Sequence, residues 1–291
     1  MLYLTYTIPP DLSGRTVRSI LRGPLQMADG LISSLKFRPN GILLNDIPVR
    51  VTAAVRAGDV LRVLLDDDGT NPAAPRDEEP DIRWQDEHFV IVSKPAGTAV
   101  YGEPGPNLAG IFAAKWGADH AFRPVNRLDV GTSGLLLIAR SRYMHDRLRR
   151  LLHTDTFVRE YLAVCAGVPD SPSGSITLPI SREENVLGRH YITPDGLESR
   201  TDYTVLYAGG DRALLRLRLY TGRTHQIRVH LAAVGHPLLG DTRYGTASGE
   251  ISRHALHSAR VIITHPLSGE IIDVADPLPP DMANLLPRTF S

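Results

Sequence analysis

The chain is predicted to be an α+β protein, and three observations carry that prediction. Apolar runs of strand length occur at residues 89–92, ending at Ser93, and at 135–139, as expected for strands buried on both faces. Residues 215–219 alternate Leu-Arg-Leu-Arg-Leu, the pattern of a half-exposed strand. Between such runs lie short amphipathic segments opened by capping residues, Asn107 and Ser141 among them, which mark short helices.

The N-terminal 65 residues read as a small α+β module. Residues 15–21 and 31–35 have helical periodicity, and 41–44 are strand-like. Asn45-Asp46 and Gly58-Asp59 make turns, and 60–65 form a last strand. This stretch holds eight basic and four acidic side chains. Residues 66–81 reverse the sign, with seven acids and only Arg76. The strip 66–80, acidic with Pro and Gly, is expected to be a solvated linker. The net charge of zero therefore hides a locally basic unit.

A second domain is expected over residues 81–291. Its first strand, 89–93, is ended by Lys94-Pro95, because Pro cannot continue a central ladder. Asn107 caps a helix carrying Leu108, Ile111, Phe112 and Trp116 on one face, residues suited to a core. Residues 135–139 follow a turn cluster, Gly131-Thr132-Ser133-Gly134, and ahead of that turn stands Arg127-Leu128-Asp129. A carboxylate on a tight turn at the mouth of a buried strand is held by rigid backbone while facing a cleft. That suits a nucleophile or general base; it equally suits an aspartate that caps its own turn. Ser141 caps the next helix, with Met144, Leu148 and Leu151 inward and arginines outward. Residues 157–166 form a strand with Tyr161 at its middle, where the default for a tyrosine is a core position. Thr224 is the expected N-cap of a helix ended near Gly235, with Ile227, Leu231 and Val234 buried and His225 and Arg228 sharing another face.

Composition bounds the function classes. The 291 residues allow two domains. An apolar share of 42% and a charged share of 22% fit a soluble protein with a substantial core. Cys165 is the only cysteine, so a disulfide framework and a cysteine-based zinc site are excluded. His225, His230 and His236 lack the i, i+4 spacing of a zinc helix, and no metal is expected. The absence of a phosphate-cradling glycine loop or dinucleotide fingerprint points to a reaction without a cofactor. No leader or spanning segment is visible, so a cytoplasmic protein with no membrane partner is expected.

Arg-Leu-Asp-x-x-Thr-Ser-Gly followed by an apolar strand closely resembles the RluA family of RNA pseudouridine synthases. Four further stretches share the resemblance: Lys94-Pro-x-Gly97, Arg159-Glu160-Tyr161, the run from Thr221 to Asp241 with His225-Gln-Ile-Arg228, and His254-Ala-Leu-His257 with Thr264-His265-Pro266. Asn126 stands where the family usually has His, and Arg159 where it usually has Lys. The resemblance implies an α+β catalytic domain built on a mixed, largely antiparallel sheet with a central cleft. It assigns the catalytic carboxylate to Asp129 and its partner to Arg228. Tyr161 becomes the aromatic that stacks on the target uracil, replacing the stacking a flipped base loses. Arg127 would occupy the space the nucleotide vacates, and Leu256 would floor the pocket. Residues 1–65 resemble the RNA-binding domain typified by ribosomal protein S-four, with Arg15, Arg18, Arg22, Lys36 and Arg38 as phosphate contacts; a solvated helix face is the alternative for those charges.

The expected activity is site-specific isomerisation of uridine to pseudouridine in structured RNA by a monomer. Ribosomal RNA of the large subunit is the first candidate substrate and transfer RNA the second. The alternatives are a noncatalytic RNA-binding or ribosome-assembly protein that keeps the fold, and a nucleoside hydrolase using the same carboxylate.

Overall fold

The computed structural model describes residues 2–65, 69–102, 105–152 and 154–287. Part of the expected linker, Asp66 to Asp68, and the last four residues of the expected second domain lie outside the described residues.

The N-terminal module is a four-stranded antiparallel sheet with two short helices. Strands β1 (Tyr3–Thr7), β2 (Ile42–Leu44), β3 (Ile47–Pro48) and β4 (Val60–Leu64) pair in the order β1-β4-β2-β3. Asn45 and Asp46 both adopt positive φ, at 51° and 64°, which joins β2 to β3 in a tight hairpin. Helices α1 (Val17–Arg22) and α2 (Asp29–Leu35) bury Val17, Ile20, Leu21, Ile32 and Leu35 against the sheet. Helix α1 starts two residues later than periodicity suggested, because the Thr16 side chain accepts from the Ser19 N–H and so fixes the cap. Strand β1 had no sequence expectation; its alternating burial is too weak over five residues to stand out.

The second sheet has ten strands. β5 (Asp81–Gln85), β6 (Phe89–Lys94), β7 (Arg123–Pro124), β8 (Ser133–Ala139), β9 (Phe157–Ala166), β10 (Ser173–Ile176), β11 (Thr201–Gly209), β12 (Arg212–Leu219), β13 (Leu256–Thr264) and β14 (Ile271–Ala275) are joined in the order β10-β11-β12-β9-β13-β8-β6-β5. β14 adds to β13, and β7 to β8. Among the strands of the described residues, β8 and β13 are the one parallel pair, through His257 opposite Ser133 and Ser258 opposite Gly134. The fold is thus α+β with a mixed, largely antiparallel sheet. Because parallel strands start at the same end, this pair sets the turn before β8 beside the loop before β13.

Every residue of β8 is buried. Leu136 and Ile138 enter a core that includes Tyr161, Ile227, Leu231 and Leu256. Leu135 and Leu137 enter another with Met144, Leu148 and Val261. Two-sided burial is the physical reason that this strand reads as an unbroken apolar run. Helices α3 (Leu108–Trp116) and α5 (Gln226–Ala233) supply the first core, and α4 (Arg142–Leu151) the second.

The two sheets are in contact through α4. Tyr143, buried among the side chains of the N-terminal core, donates its hydroxyl to the Leu25 carbonyl at 2.9 Å. The linker strip differs from expectation. Its acids Asp77, Glu78 and Glu79 are exposed, but Asn71 is buried, with its amide on the Ala109 carbonyl at 2.7 Å and its backbone N–H on Ala118. The carboxamide donates to a carbonyl in the first turn of the helix that follows and accepts from the Ala73 N–H, contacts that composition cannot register.

Candidate active site

The cleft opens where β8, β9, β13 and the N-terminus of α5 converge. Its lining includes Arg127, Leu128, Asp129, Thr132, Tyr161, Leu219, His225, Arg228 and Leu256. Residues of the expected site that lie 129 positions apart in sequence at the extremes, Arg127 and Leu256, therefore line one cleft.

Asp129 belongs to a turn closed by backbone, with the Thr132 N–H donating to the Asp129 carbonyl at 3.0 Å. Its carboxylate is left for another partner. Arg228 Nη1 donates to Asp129 Oδ2 at 2.9 Å, the contact expected from sequence. Asp129 keeps 28% of its side-chain surface exposed, against 9% for Arg228; one group faces the cleft and the other stands behind it. The opposite edge of the guanidinium is gripped by Asp241, with Nε to Oδ2 at 2.8 Å and Nη2 to Oδ1 at 2.9 Å. Asp241 also accepts from the backbone N–H groups of Arg243 and Tyr244. Burial alone would raise the Asp241 carboxyl, but Arg228 and these amides outweigh it and hold it below the usual range. Arg228 is thus a rigid fork between a buried carboxylate and a half-open one.

Tyr161 is 4% exposed and packs in the core cluster, paired across the sheet with Leu217 and Ser258. Burial raises its phenol above the ordinary value, so the ring is neutral at physiological pH. Leu256, 5% exposed, opens β13. Arg127 is exposed and donates to the Tyr101 hydroxyl at 3.2 Å. Asn126 is buried and accepts from the Leu137 N–H at 3.1 Å, so it braces β8.

Helix α5 corrects one expectation. Its N-cap is His225, not Thr224, and His225 has a left-handed backbone with φ of 56° and ψ of 19°. Strain of that kind in a non-glycine residue concentrates at functional sites. The ring is held by the Tyr244 hydroxyl at 2.9 Å from Nδ1, while Nε2 stands 3.8 Å from Asp129 Oδ2. His230 is instead buried against Ser199, Thr201 and Leu178, and His236 reaches the Ala166 carbonyl.

Several residues to which the sequence assigned no role hold the Asp129 turn. Lys94, fully buried, donates from Nζ to the carbonyls of Pro95, Thr98 and Val130 at 3.0, 2.7 and 3.2 Å. Burial pushes its pKa down to about 7, opposed by the charge of Asp129; three carbonyl acceptors suit the ammonium's three N–H groups. Thr132 Oγ1 lies 2.8 Å from His254 Nε2, and Ser133 Oγ 2.9 Å from His257 Nδ1. Burial, then the nearby Arg228 charge, lowers His254 to about 4, so it is a neutral hydrogen-bonding group. Gly134 is required: at φ of 105° a Cβ would sit 2.2 Å from the Ser258 carbonyl oxygen. Lys94, Asp241 and His254 lie within motif stretches that the sequence already marks, and their position beside assigned residues was the available signal.

The five expected phosphate contacts all sit in the N-terminal module, outside the cleft lining. Arg15, Arg18, Arg22 and Lys36 are exposed and Arg38 is half-buried. Arg22 is engaged with Asp29 at 2.6 Å, and Lys36 lies over the Phe37 ring.

Residues 88–233 match the family model described as RNA pseudouridylate synthase. An RNA pseudouridine synthase of Bacillus subtilis, YhcT, is 34% identical over 287 residues, covering 96% of this chain and 94% of the relative. The ribosomal large subunit pseudouridine synthase C of Vibrio cholerae is 31% identical over 296 residues, covering 93% and 92%. Among solved structures, human RNA pseudouridylate synthase domain containing 1 superposes with a TM-score of 0.57 at 28% identity, over 70% of this chain and 86% of that one. The matched segment contains the Asp129 turn, Tyr161 and Arg228, and the likeness extends along nearly the whole chain. On that ground the chain belongs to the RNA pseudouridylate synthase family, whose members are isomerases.

Proposed function

We propose that the protein isomerises a specific uridine of large-subunit ribosomal RNA in the cytoplasm, with Asp129 as the catalytic carboxylate. The observation that carries the assignment is the Asp129–Arg228–Asp241 chain of ion pairs at the floor of a cleft that also presents Tyr161 and Leu256. Arg228 presents one N–H to Asp129, and Asp241 prevents it from turning away.

In the reaction the bond from ribose C1′ to uracil N1 breaks, the base turns, and C1′ bonds to C5. C5 loses its proton and N1 gains one, so atoms and charge balance without an oxidant or energy source. Asp129 serves either by attacking C1′ or by removing the proton on C2′. Tyr161 supplies a flat, neutral face for the extruded base, Leu256 an apolar floor, and Arg127 an exposed cation at the rim that fills the vacated place in the stack. The N-terminal module, with Arg15, Arg18, Arg22, Lys36 and Arg38, acts in the manner of an S-four-type domain and holds the RNA by its phosphates. The ribosomal assignment is supported by relatives named as large-subunit synthases C and D at 31% and 38% identity.

The purified protein should be incubated with large-subunit ribosomal RNA and, separately, with unmodified transfer RNA, and pseudouridine mapped at single-nucleotide resolution. Modification confined to one or a few large-subunit uridines is expected. Modification of transfer RNA alone would overturn the substrate assignment. Release of free uracil would indicate hydrolysis and overturn the isomerisation.

A further inference from the structure

We infer that Arg253, oriented by Asp281, is a positioning residue that locks the catalytic turn to the floor of the pocket. The inference rests on the reading of Asp129 as the catalytic carboxylate.

The Asp129 turn is tied down residue by residue. The Val130 carbonyl takes Lys94, Thr132 Oγ1 pairs with His254, and Ser133 Oγ pairs with His257. The remaining group, the Gly131 carbonyl, accepts from Arg253 Nη1 at 3.0 Å. The same nitrogen donates to the carbonyls of Leu256 at 3.0 Å and His254 at 3.2 Å. One guanidinium corner therefore joins the turn that carries Asp129 to the first residue of β13, whose side chain floors the cleft.

The other edge of that guanidinium is occupied by Asp281. Nε lies 2.7 Å from Oδ2 and Nη2 2.9 Å from Oδ1, a two-pronged pairing that fixes the plane of the group. Asp281 belongs to the short C-terminal helix α6 (Pro280–Ala283), anchored by Met282 in a core with Ile251, Ala255, Leu285 and Leu286. Burial would raise the Asp281 carboxyl, but Arg253 and the Met282 N–H outweigh it and hold it below its ordinary value. Helix α6, beyond the stretch matched to the family model, thus reaches the catalytic turn through the Arg253 side chain.

The arrangement needs arginine. A lysine has one point of charge and cannot grip Asp281 with one edge while donating to three carbonyls with its corner. There is also little slack for the turn to move. At Gly131 even a Cβ would stand 2.8 Å from the His254 ring. Without the hydrogen bond to Gly131 the turn loses the tie that joins its backbone to that of Leu256, and a displacement of about 1 Å costs on the order of 100-fold in rate.

The test compares Arg253→Lys, Arg253→Ala, Asp281→Asn, the double variant of Arg253→Lys with Asp281→Asn, and Asp129→Asn, using tritium release from C5 of labelled RNA together with thermal melts. Arg253→Lys is expected to lower the rate at saturating RNA by about 30-fold or more, with KM changed by less than about threefold. Asp281→Asn should act in the same direction by about fivefold, and the double variant should be no slower than Arg253→Lys, because both act through one contact. Added guanidinium should restore part of the rate of Arg253→Ala. A saturated rate for Arg253→Lys within about twofold of wild type, a loss in KM alone, or multiplying losses in the double variant would overturn the inference. If Arg253→Lys does not fold, Asp281→Asn decides by itself, since its carboxylate is 47% exposed and its removal leaves the core intact; an unchanged saturated rate there overturns the inference. Normal turnover by Asp129→Asn would instead bring down the reading of the active site.

Discussion

The cleft floor and the N-terminal module are both rich in arginine, and they use it in opposite ways. At the floor, Arg228 is buried and Arg253 half-buried, and each has a carboxylate that sets its plane. In the module, Arg15 and Arg18 are exposed on the first helix and its approach. A buried, paired guanidinium is an orienting device, costly to remove and insensitive to salt. An exposed one contributes long-range attraction that salt screens. The difference teaches that counting basic residues says little about where chemistry occurs; burial and the number of partners separate the charge that positions from the charge that attracts.

The largest effect should come from the floor. Asp129→Asn preserves shape and removes the charge, and its rate of C5 tritium release should fall by at least about 10⁴-fold. Binding to RNA, measured by filter retention, should stay within about twofold, because phosphate contacts elsewhere dominate affinity. Near-normal release would leave the cleft without its carboxylate.

Arg228→Leu should sharpen the contrast by damaging stability as well as activity. It strands Asp241, which is fully buried, and should cost about 3–5 kcal/mol. The pH dependence carries the sign. In the wild-type protein the folded Asp241 carboxyl lies below its unfolded value, so its contribution is complete above about pH 4 and is lost as the pH falls through the lower folded value. In Arg228→Leu, burial without a partner raises the folded value. The penalty is then smallest below about pH 4 and grows as the pH rises through the raised value. Melting temperatures from about pH 4 to pH 8 should therefore rise on acidification in the variant relative to wild type. Parallel pH profiles would mean that Asp241 does not depend on Arg228.

The module should behave differently when it is broken. The double change Arg15→Glu and Arg18→Glu should weaken RNA binding by about tenfold and flatten the log–log salt dependence by about one for each phosphate that is no longer neutralised. The saturated rate should remain within about twofold of wild type. An unchanged salt slope would assign those charges to a merely solvated face. Charge reversal is a cleaner test than deletion of residues 1–80, because Tyr143 of α4 is buried in the module's core and Asn71 is seated on α3.

The smallest effect should be that of Tyr161→Phe, which keeps the stacking face and removes only a hydroxyl that reaches Ser258. Its rate should stay within about fivefold of wild type, whereas Tyr161→Ala should lose about 1–3 kcal/mol of base stacking. Equal losses in the two variants would move the role of Tyr161 from its ring to its hydroxyl.

The sequence by itself determined the strands that are buried on both faces, the capped helices α3 and α4, the α+β class, and the short list of polar residues around Arg127-Leu128-Asp129. These are legible because burial imposes apolar runs, and capping imposes particular side chains, on contiguous residues. The Asp129–Arg228 partnership was also legible, through resemblance of the motifs, and the two groups do meet. What only the tertiary structure decided is what stands behind them: Asp241 behind Arg228, the left-handed His225 at the head of α5, Lys94 under Val130, and Arg253 with Asp281 under Gly131. None of these forms a periodic or local pattern. The contacts join separate segments, 13 positions apart for Arg228 with Asp241, 36 for Lys94 with Val130 and 122 for Arg253 with Gly131, and a hydrogen bond between separate segments leaves no signature in either segment alone.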